Sequence, residues 1–554
     1  MEFLRREGRR IVDEQGREVL LKGYGIGSWM NVEGFLFGSS HFSAGFGGFA
    51  RAEGMNGGRS INQILIETCG RTYAESFWKR YYENYFAEAD IRYMAELGFN
   101  SLRLPLNARV FLKEEPGICW DEWAFALLEK LVCCCEENGL YVILDLHAAA
   151  AGQSAIGCDD GVDNQPHLFT DEEGWERSIV LWEELARRYK DRAAVAGYEL
   201  LNEPLALESG DVYLPELRRF YDETIRRIRA IDRRHILFLQ GHRFASRWDI
   251  FEKDMDPGYD NWVLTMHLYE AMPDLGAIGG FLRASKEWDV PVWMGETNGS
   301  HGYMATLYEM LYENHVGVNI WCHKGVAGAD AACLCQFDVP AGMEKILRYG
   351  QEGGPKPSYE ESMRIMDAYL EGIRFENCTL HADFADAVLR RGDFEVPAVG
   401  YDMLPGRGIS WKGSDPYCIF CGYRREDDMQ IVYEPDFRPF NAPAFAFAAA
   451  GRPPKYGDFP HLELLLEAGD FACYTVRDVE KAEEVKILYR AREEAELSVS
   501  SGDAKTVLTL SSGMGELREI TCLTVPSGQE RAVVKIECTK GRVQLKSVRF
   551  AAKA

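Results

Sequence analysis

The stretch Gly197-Tyr198-Glu199-Leu200-Leu201-Asn202-Glu203-Pro204 is a strand-like apolar run that ends in a polar pair and is stopped by a proline, which has no N–H to continue a ladder. This reading puts Glu203 at the carboxyl end of a buried strand, where parallel sheets, open or closed, keep their chemistry. A second run ends the same way: Val290-Pro291-Val292-Trp293-Met294-Gly295-Glu296, followed by Thr297-Asn298-Gly299. Two acids at the tips of two strands point to one site.

Working outward, strand-like and helix-like segments alternate. After a small hairpin turning at Glu14-Gln15-Gly16, the run from Val19 to Gly27 reads as a first strand, and residues 36–60, rich in Gly, Ser and Phe, read as a long loop at its end. A helix pattern over 74–97 stops at Gly98 and leads into Asn100–Pro105; another over 121–138 stops at Gly139 and leads into Leu140–His147. Helix 174–190 precedes the Glu203 strand, and helix 213–230 precedes His235–Gly241. Trp262–Tyr269, the Glu296 strand and Gly317–Lys324 complete the series. Eight apolar strands separated by helices predict a (β/α)8 TIM barrel, because parallel strands covered on both faces read as continuous apolar runs. A doubly wound open sheet is the rival, but Gly23-Tyr24-Gly25-Ile26-Gly27 has no helix pattern directly after it and is a poor dinucleotide fingerprint.

A helix over about Tyr359 to Leu370 closes this region, which we place at residues 1–372. From 373 to 554 helical periodicity fades into short alternating runs such as Phe471–Val476, Val485–Arg490, Thr506–Leu510 and Ala532–Ile536, which predict an all-β sandwich.

Composition narrows the function. The 62 basic and 87 acidic residues leave a net charge of −25, which repels phosphate backbones and anionic membranes; no nucleic acid or membrane partner is expected. Aromatic residues, 12% of the chain, suit sugar-stacking surfaces as well as cores. The opening Met1–Glu7 lacks the apolar core of a signal peptide, so the chain as it stands reads as cytoplasmic, with secretion left open. Fifteen cysteines read as mostly buried, reduced thiols. Cys418-Ile419-Phe420-Cys421 has metal or redox spacing, but no second pair or histidine lies near it in sequence, and no metal or organic cofactor is expected. The oligomeric state is not legible.

At the ends of the predicted strands stand Arg103, His147, Asn202 with Glu203, His267 with Tyr269, Glu296 and Trp321. Singly, a strand-end Arg reads as a structural ion pair and a lone His or Trp as satisfied core. In a barrel, however, all of them converge on one face. Two carboxyls, an arginine, two histidines, a tyrosine and a tryptophan make a kit for cleaving a glycosidic bond, in which one carboxyl donates a proton and the other attacks the anomeric carbon. Arg103 and the Tyr269 hydroxyl are expected to keep one carboxylate charged, while Glu203, in a drier setting near a histidine, keeps its proton near neutral pH. Asn202 is expected to hold a sugar hydroxyl, and Trp321 to offer a flat platform.

These motifs, Leu-Arg-Leu-Pro at Arg103, Asp-Leu-His at His147, Asn202-Glu203-Pro204, His267-Leu268-Tyr269, Gly295-Glu296 and Trp321, resemble glycoside hydrolase family 5, a retaining clan A (β/α)8 family. The resemblance implies Glu203 as acid/base and Glu296 as nucleophile. Gly25–Phe35 and Asp145–Gln153 are similar to segments of the exo-acting β-glucanase and β-glucosidase branch, which implies that Glu33 binds outer hydroxyls of a terminal glucose. The alanine run after His147, Cys322-His323-Lys324 after Trp321, and an insertion over 36–72 depart from that branch. The expectation is therefore retaining hydrolysis of β-glucosides or β-glucan ends. An endo-β-glucanase or β-mannanase with an open cleft, and a catalytically idle carbohydrate-binding protein, are the alternatives. The tail from Leu462, with Glu467–Val476, resembles family 6-type carbohydrate-binding sandwiches.

Overall fold

The computed structural model describes all residues except 39–54, 253–258, 329–331, 415–422, 425, 438–455 and 554. By packing, the chain divides into two compact units. The first comprises Met1–His267, Phe281–Thr297 and Gly317–His381; the second comprises Leu268–Gly280, Asn298–Val316 and Ala382–Ala554.

The first unit is built on a closed parallel barrel. Its strands are β1 (Lys22–Gly25), β2 (Ser101–Asn107), β3 (Tyr141–Ala148), β4 (Val195–Glu199), β5 (Ile236–Gln240), β6 (Trp262–Leu268), β7 (Val292–Thr297) and β8 (Gly317–Trp321), each hydrogen-bonded to its neighbours in that order, with β8 returning to β1. The glycines of β1 serve close packing: a Cβ at Gly23 would lie 1.8 Å from the Ser101 carbonyl oxygen, and one at Gly25 2.6 Å from the Trp321 ring. The amino end of the barrel is plugged. Leu4, just before the N-terminal hairpin of Arg5–Glu7 with Arg10–Val12, and Ile11 within it pack on the inward-facing Ile143, Ile236, Phe238, Val263 and Trp293. Phe238 and Trp293 meet edge to face at 5.0 Å, so Phe238→Ala would cost roughly 3–5 kcal/mol.

The helices start where a short polar side chain can cap them. Asp121 accepts from the Trp123 N–H before α1 (Glu122–Glu137), and Asp171 from the Glu173 and Gly174 N–H groups before α2 (Glu172–Tyr189). The segment over 74–97, read as one helix, is two: Arg71–Tyr85 and Glu88–Glu96. The break at Phe86-Ala87 is extended, and the buried Asp90 carboxylate, which accepts the Ala87 N–H at 3.0 Å, restarts the helix. Asp90 is itself ion-paired to Lys324 at 2.8 Å. The expected long loop over 36–60 is partly ordered as a helical turn, Gly34–Phe37, and the start of a helix, Gly58–Cys69, inside the predicted 36–72 insertion; its centre, 39–54, lies outside the described residues.

In the second unit a helix, Ala382–Leu389, precedes two antiparallel sheets. Its strands are β9 (Phe394–Pro397), β10 (Trp411–Lys412), β11 (Gln430–Tyr433), β12 (Leu462–Glu467), β13 (Phe471–Val479), β14 (Glu483–Arg490), β15 (Ala495–Ser501), β16 (Ala504–Leu510), β17 (Arg518–Val525), β18 (Gln529–Lys540) and β19 (Arg542–Ala552). One sheet runs β11-β12-β19-β14-β17 with β9 also on β19; the other runs β10-β13-β18-β15-β16. Burial alternates along β14, with Val485, Ile487 and Tyr489 turned inward, as a sandwich requires. Helix α3 (His301–Glu313), although its sequence lies between β7 and β8, is part of this unit. The buried Arg390 donates to the Ala305 carbonyl at 2.7 Å, and Arg477 clasps Glu309 through two hydrogen bonds of 3.0 and 2.7 Å.

Each cysteine among the described residues is unbridged, and most are buried. Cys418 and Cys421, weighed above as a metal or redox pair, lie outside them. No helix among the described residues is long and apolar enough to cross a membrane.

Candidate active site

The carboxyl ends of the strands gather ionisable groups around one guanidinium. Arg103, in β2 and fully buried, hydrogen-bonds Glu199 at 2.5 Å, Glu296 at 2.6 Å and Asn202 at 2.7 Å, and pairs with Asp145 at 3.0 Å. A planar fork with five N–H donors can serve so many acceptors at once. One positive charge does not balance Asp145, Glu199, Glu203 and Glu296, so protons must make up the difference. Burial pushes Asp145 up to about 7 and raises Glu199 against the opposing pull of Arg103.

The two glutamates are held differently. Glu296 sits within the β7 ladder, one oxygen taken by Arg103 and the other 3.5 Å from His267 Nδ1. Glu203, expected to end a strand, lies four residues beyond the last residue of β4 in the left-handed region, at φ +42°. Pro204 therefore does not end the strand; regular pairing is already over, and the Glu203 N–H is taken by the Gln240 side-chain oxygen at 2.7 Å. A Glu203 oxygen lies 2.7 Å from His267 Nδ1. One oxygen of Glu203, one of Glu296 and a nitrogen of His267 all fall within 4.8 Å of one another. Burial raises the Glu203 carboxyl to about 7, with His147 and Arg103 pulling the other way. Burial also lowers His267 to about 4 and His147 to about 3, so both are neutral rings at pH 7.

Around this pair, His147 Nδ1 is 2.7 Å from Asp145 and its Nε2 is 3.2 Å from the Asn202 amide nitrogen. Among the described residues two other clusters come equally close, Asp90-His323-Cys335 and the all-carboxyl Glu309-Glu313-Asp402. In the first of these the Lys324 ammonium already supplies the positive charge; in the second, Arg477 and Arg390 do.

Residues 57–325 match the family Cellulase (glycosyl hydrolase family 5). The barrel belongs to glycoside hydrolase family 5. Among curated proteins, it is 34% identical over 270 residues to the "Beta-xylosidase" of Phanerodontia chrysosporium, a match covering 49% of this chain and 52% of that protein. It is 28% identical over 190 residues to "Cellodextrinase A" of Ruminococcus flavefaciens (34% of this chain, 53% of that one). It is 24% identical over 294 residues to "Probable glucan 1,3-beta-glucosidase A" of Neosartorya fischeri (51% and 65%). The chain thus spans about half to two thirds of the length of these relatives.

Within the family 5 barrel, the structure brings Arg103, His147, Asn202, Glu203, His267, Glu296 and Trp321 into one network. Trp321 is less of a platform than expected: the His147 ring stacks on it at 5.1 Å, nearly parallel at 7°, and only 7% of the residue is exposed. Glu33, just past β1, is buried; burial, then Glu296 and Glu203, raise its carboxyl well above the usual range, and among the described residues its Oε2 has no hydrogen-bond partner. Tyr269 is 40% exposed and falls in the segment Leu268–Gly280, which groups with the second unit. Sequence reading missed Asp145, Glu199 and Gln240 as parts of the site. The signal was present: charged or amide side chains inside otherwise apolar strands must find partners, and these three find one another's neighbours.

Proposed function

We propose that this protein hydrolyses β-glycosidic bonds with retention of configuration, Glu296 acting as nucleophile and Glu203 as acid/base. The observation that carries the proposal is the approach of a Glu203 oxygen to a Glu296 oxygen within 4.8 Å, which suits the short spacing of about 5–5.5 Å between carboxyl groups used in double displacement better than the wider gap of inverting enzymes. In the first step Glu296 attacks the anomeric carbon as the glycosidic C–O bond breaks, and Glu203 gives its proton to the leaving oxygen. In the second, water attacks that carbon, Glu203 takes the water's proton, and Glu296 is released. A carboxyl raised to about 7 suits that alternation near neutral pH. Arg103, donating to Glu296 at 2.6 Å, keeps that oxygen oriented.

The substrate we favour is a β-glucoside or the non-reducing end of a β-glucan, with the free Oε2 of Glu33 available to a sugar hydroxyl and Asn202 to another. The name of the 34% identical relative adds a β-xyloside as the second candidate. Aryl β-glucoside, β-xyloside and β-mannoside, followed by proton NMR of the first product, test all of this. Release of the β-anomer first supports the reading, and the preferred sugar names the substrate. The α-anomer first would refute retention, and binding without release would make the protein an idle sugar binder. On a long glucan, monosaccharide from the first minutes marks an exo pocket, and mixed oligosaccharides an open cleft.

A further inference from the structure

We propose that Gln240 is a positioning residue that fixes the tautomer of His267, so that Nδ1–H always points at Glu203 and His267 never competes for the catalytic proton. The inference rests on the roles proposed above for Glu203 and Glu296.

Gln240 is the last residue of β5 and is fully buried. Its side-chain oxygen faces the Glu203 N–H at 2.7 Å. A backbone N–H can only donate, so the amide orientation is settled by chemistry: oxygen toward Glu203, nitrogen on the other side. That nitrogen lies 2.6 Å from Glu199 Oε1 and 3.1 Å from His267 Nε2. It carries two hydrogens, one for the carboxyl oxygen and one for the ring. His267 Nε2 must therefore accept, and its single proton belongs on Nδ1, 2.7 Å from Glu203 Oε1 and 3.5 Å from Glu296 Oε2.

The consequence is chemical. When Glu203 has given its proton to the leaving oxygen, the Nδ1–H bond stabilises the carboxylate left behind; when Glu203 takes a proton from water, it receives it on the other oxygen. A proton on Nε2 would meet the amide NH2 head on, so the imidazolium is excluded sterically as well as by burial. The same amide holds Glu203's left-handed backbone, whose N–H has its acceptor in Gln240. The other titratable groups around the pair are Arg103 on β2, Asp145 and His147 on β3, Glu199 on β4, Glu33 past β1, and Cys158; none of them is hydrogen-bonded to His267 Nε2.

Gln240→Glu is the decisive variant. It keeps the size of the side chain and an acceptor for the Glu203 N–H, but replaces the donor facing Nε2 with an acceptor, which invites a proton onto that nitrogen. The expected outcome is an alkaline limb of the kcat/KM profile displaced by about one pH unit toward acid, with kcat on an aryl glycoside of poor leaving group reduced roughly 10²-fold, the low end of what a positioned acid/base supplies. KM and the rate on a dinitrophenyl glycoside change much less. A merely structural role would lower both substrates alike and leave the limb in place, and that result overturns the proposal. Selective 15N labelling of histidine in the unaltered protein reads the tautomer without any variant, with the His267 signal identified by its loss in His267→Gln. A protonated Nδ1 and bare Nε2 support the proposal, and the reverse refutes it even if Gln240→Glu does not fold. If the unaltered protein turns over no glycoside, the proposed function fails while the tautomer measurement still decides the positioning claim.

Discussion

The tips of β4 and β7 carry the two glutamates, and the contrast between them is instructive. Glu296 stands in regular ladder, its geometry set by the same backbone bonds that close the barrel, and Arg103 takes one oxygen at 2.6 Å. Glu203 stands where the ladder has ended, at positive φ, in a turn held by side chains. A group on ladder is fixed by backbone and guanidinium together. A group on a side-chain-supported turn, away from a direct guanidinium bond and next to a neutral imidazole, keeps its affinity for a proton. The roles proposed for the two glutamates thus rest on a backbone difference.

The most severe test of that contrast is Glu296→Ala, expected to lower turnover roughly 10⁴-fold or more, with partial recovery in azide and a product of opposite anomeric configuration. Recovery without the change of anomer would erase the distinction. Glu203→Ala comes next, costing roughly 10²–10⁴-fold on substrates with poor leaving groups and far less on dinitrophenyl glycosides, which need little protonation; equal losses on both would show that the β4 tip does not supply the proton. The third concerns stability. Glu203 is raised by burial to about 7, above the usual carboxyl range, so the stability associated with its proton is fully present below the unfolded pKa of about 4.3 and is lost as pH rises through about 7. Glu203→Gln removes that loss. Its midpoint in urea should exceed that of the unaltered protein at pH 8, by up to roughly 3 kcal/mol of stability, with the gap closing toward pH 4.5. No gap at pH 8 would mean that burial does not raise the Glu203 carboxyl. The smallest effect is expected at Glu33→Gln, a rise in KM of roughly 10-fold with kcat nearly unchanged, as for one lost hydrogen bond to a sugar hydroxyl.

Much of this was readable before any coordinates. Glycines after helix patterns at 98 and 139, and strands with hardly a polar position, are local consequences of burial on both faces, so the barrel could be counted from the sequence. Arg103, His147, Asn202, Glu203, His267 and Glu296 were legible because a polar residue ending an apolar run has few structural reasons to be there. What stayed hidden depends on distant partners. The break at Phe86-Ala87 lies inside an unbroken helical pattern and needs Asp90, whose ion-pair partner is Lys324. The departure of Glu203 from the ladder needs Gln240. The partial cover of Trp321 by His147 follows from two strands meeting across the barrel, and no spacing in the chain encodes it.

The membership of α3 in the second unit has a consequence for how this chain can be cut or recombined. Leu268–Gly280 and Asn298–Val316 come from the stretch of sequence that supplies β6, β7 and β8, yet they cluster in the second unit, where Arg390, Arg477 and β9 pack on α3, so that unit is not made of the tail alone. Truncation at residue 381 would strip α3 of those companions and leave an apolar helix without its packing partners. A chimera made by exchanging tails among relatives would have to carry these two inner segments along.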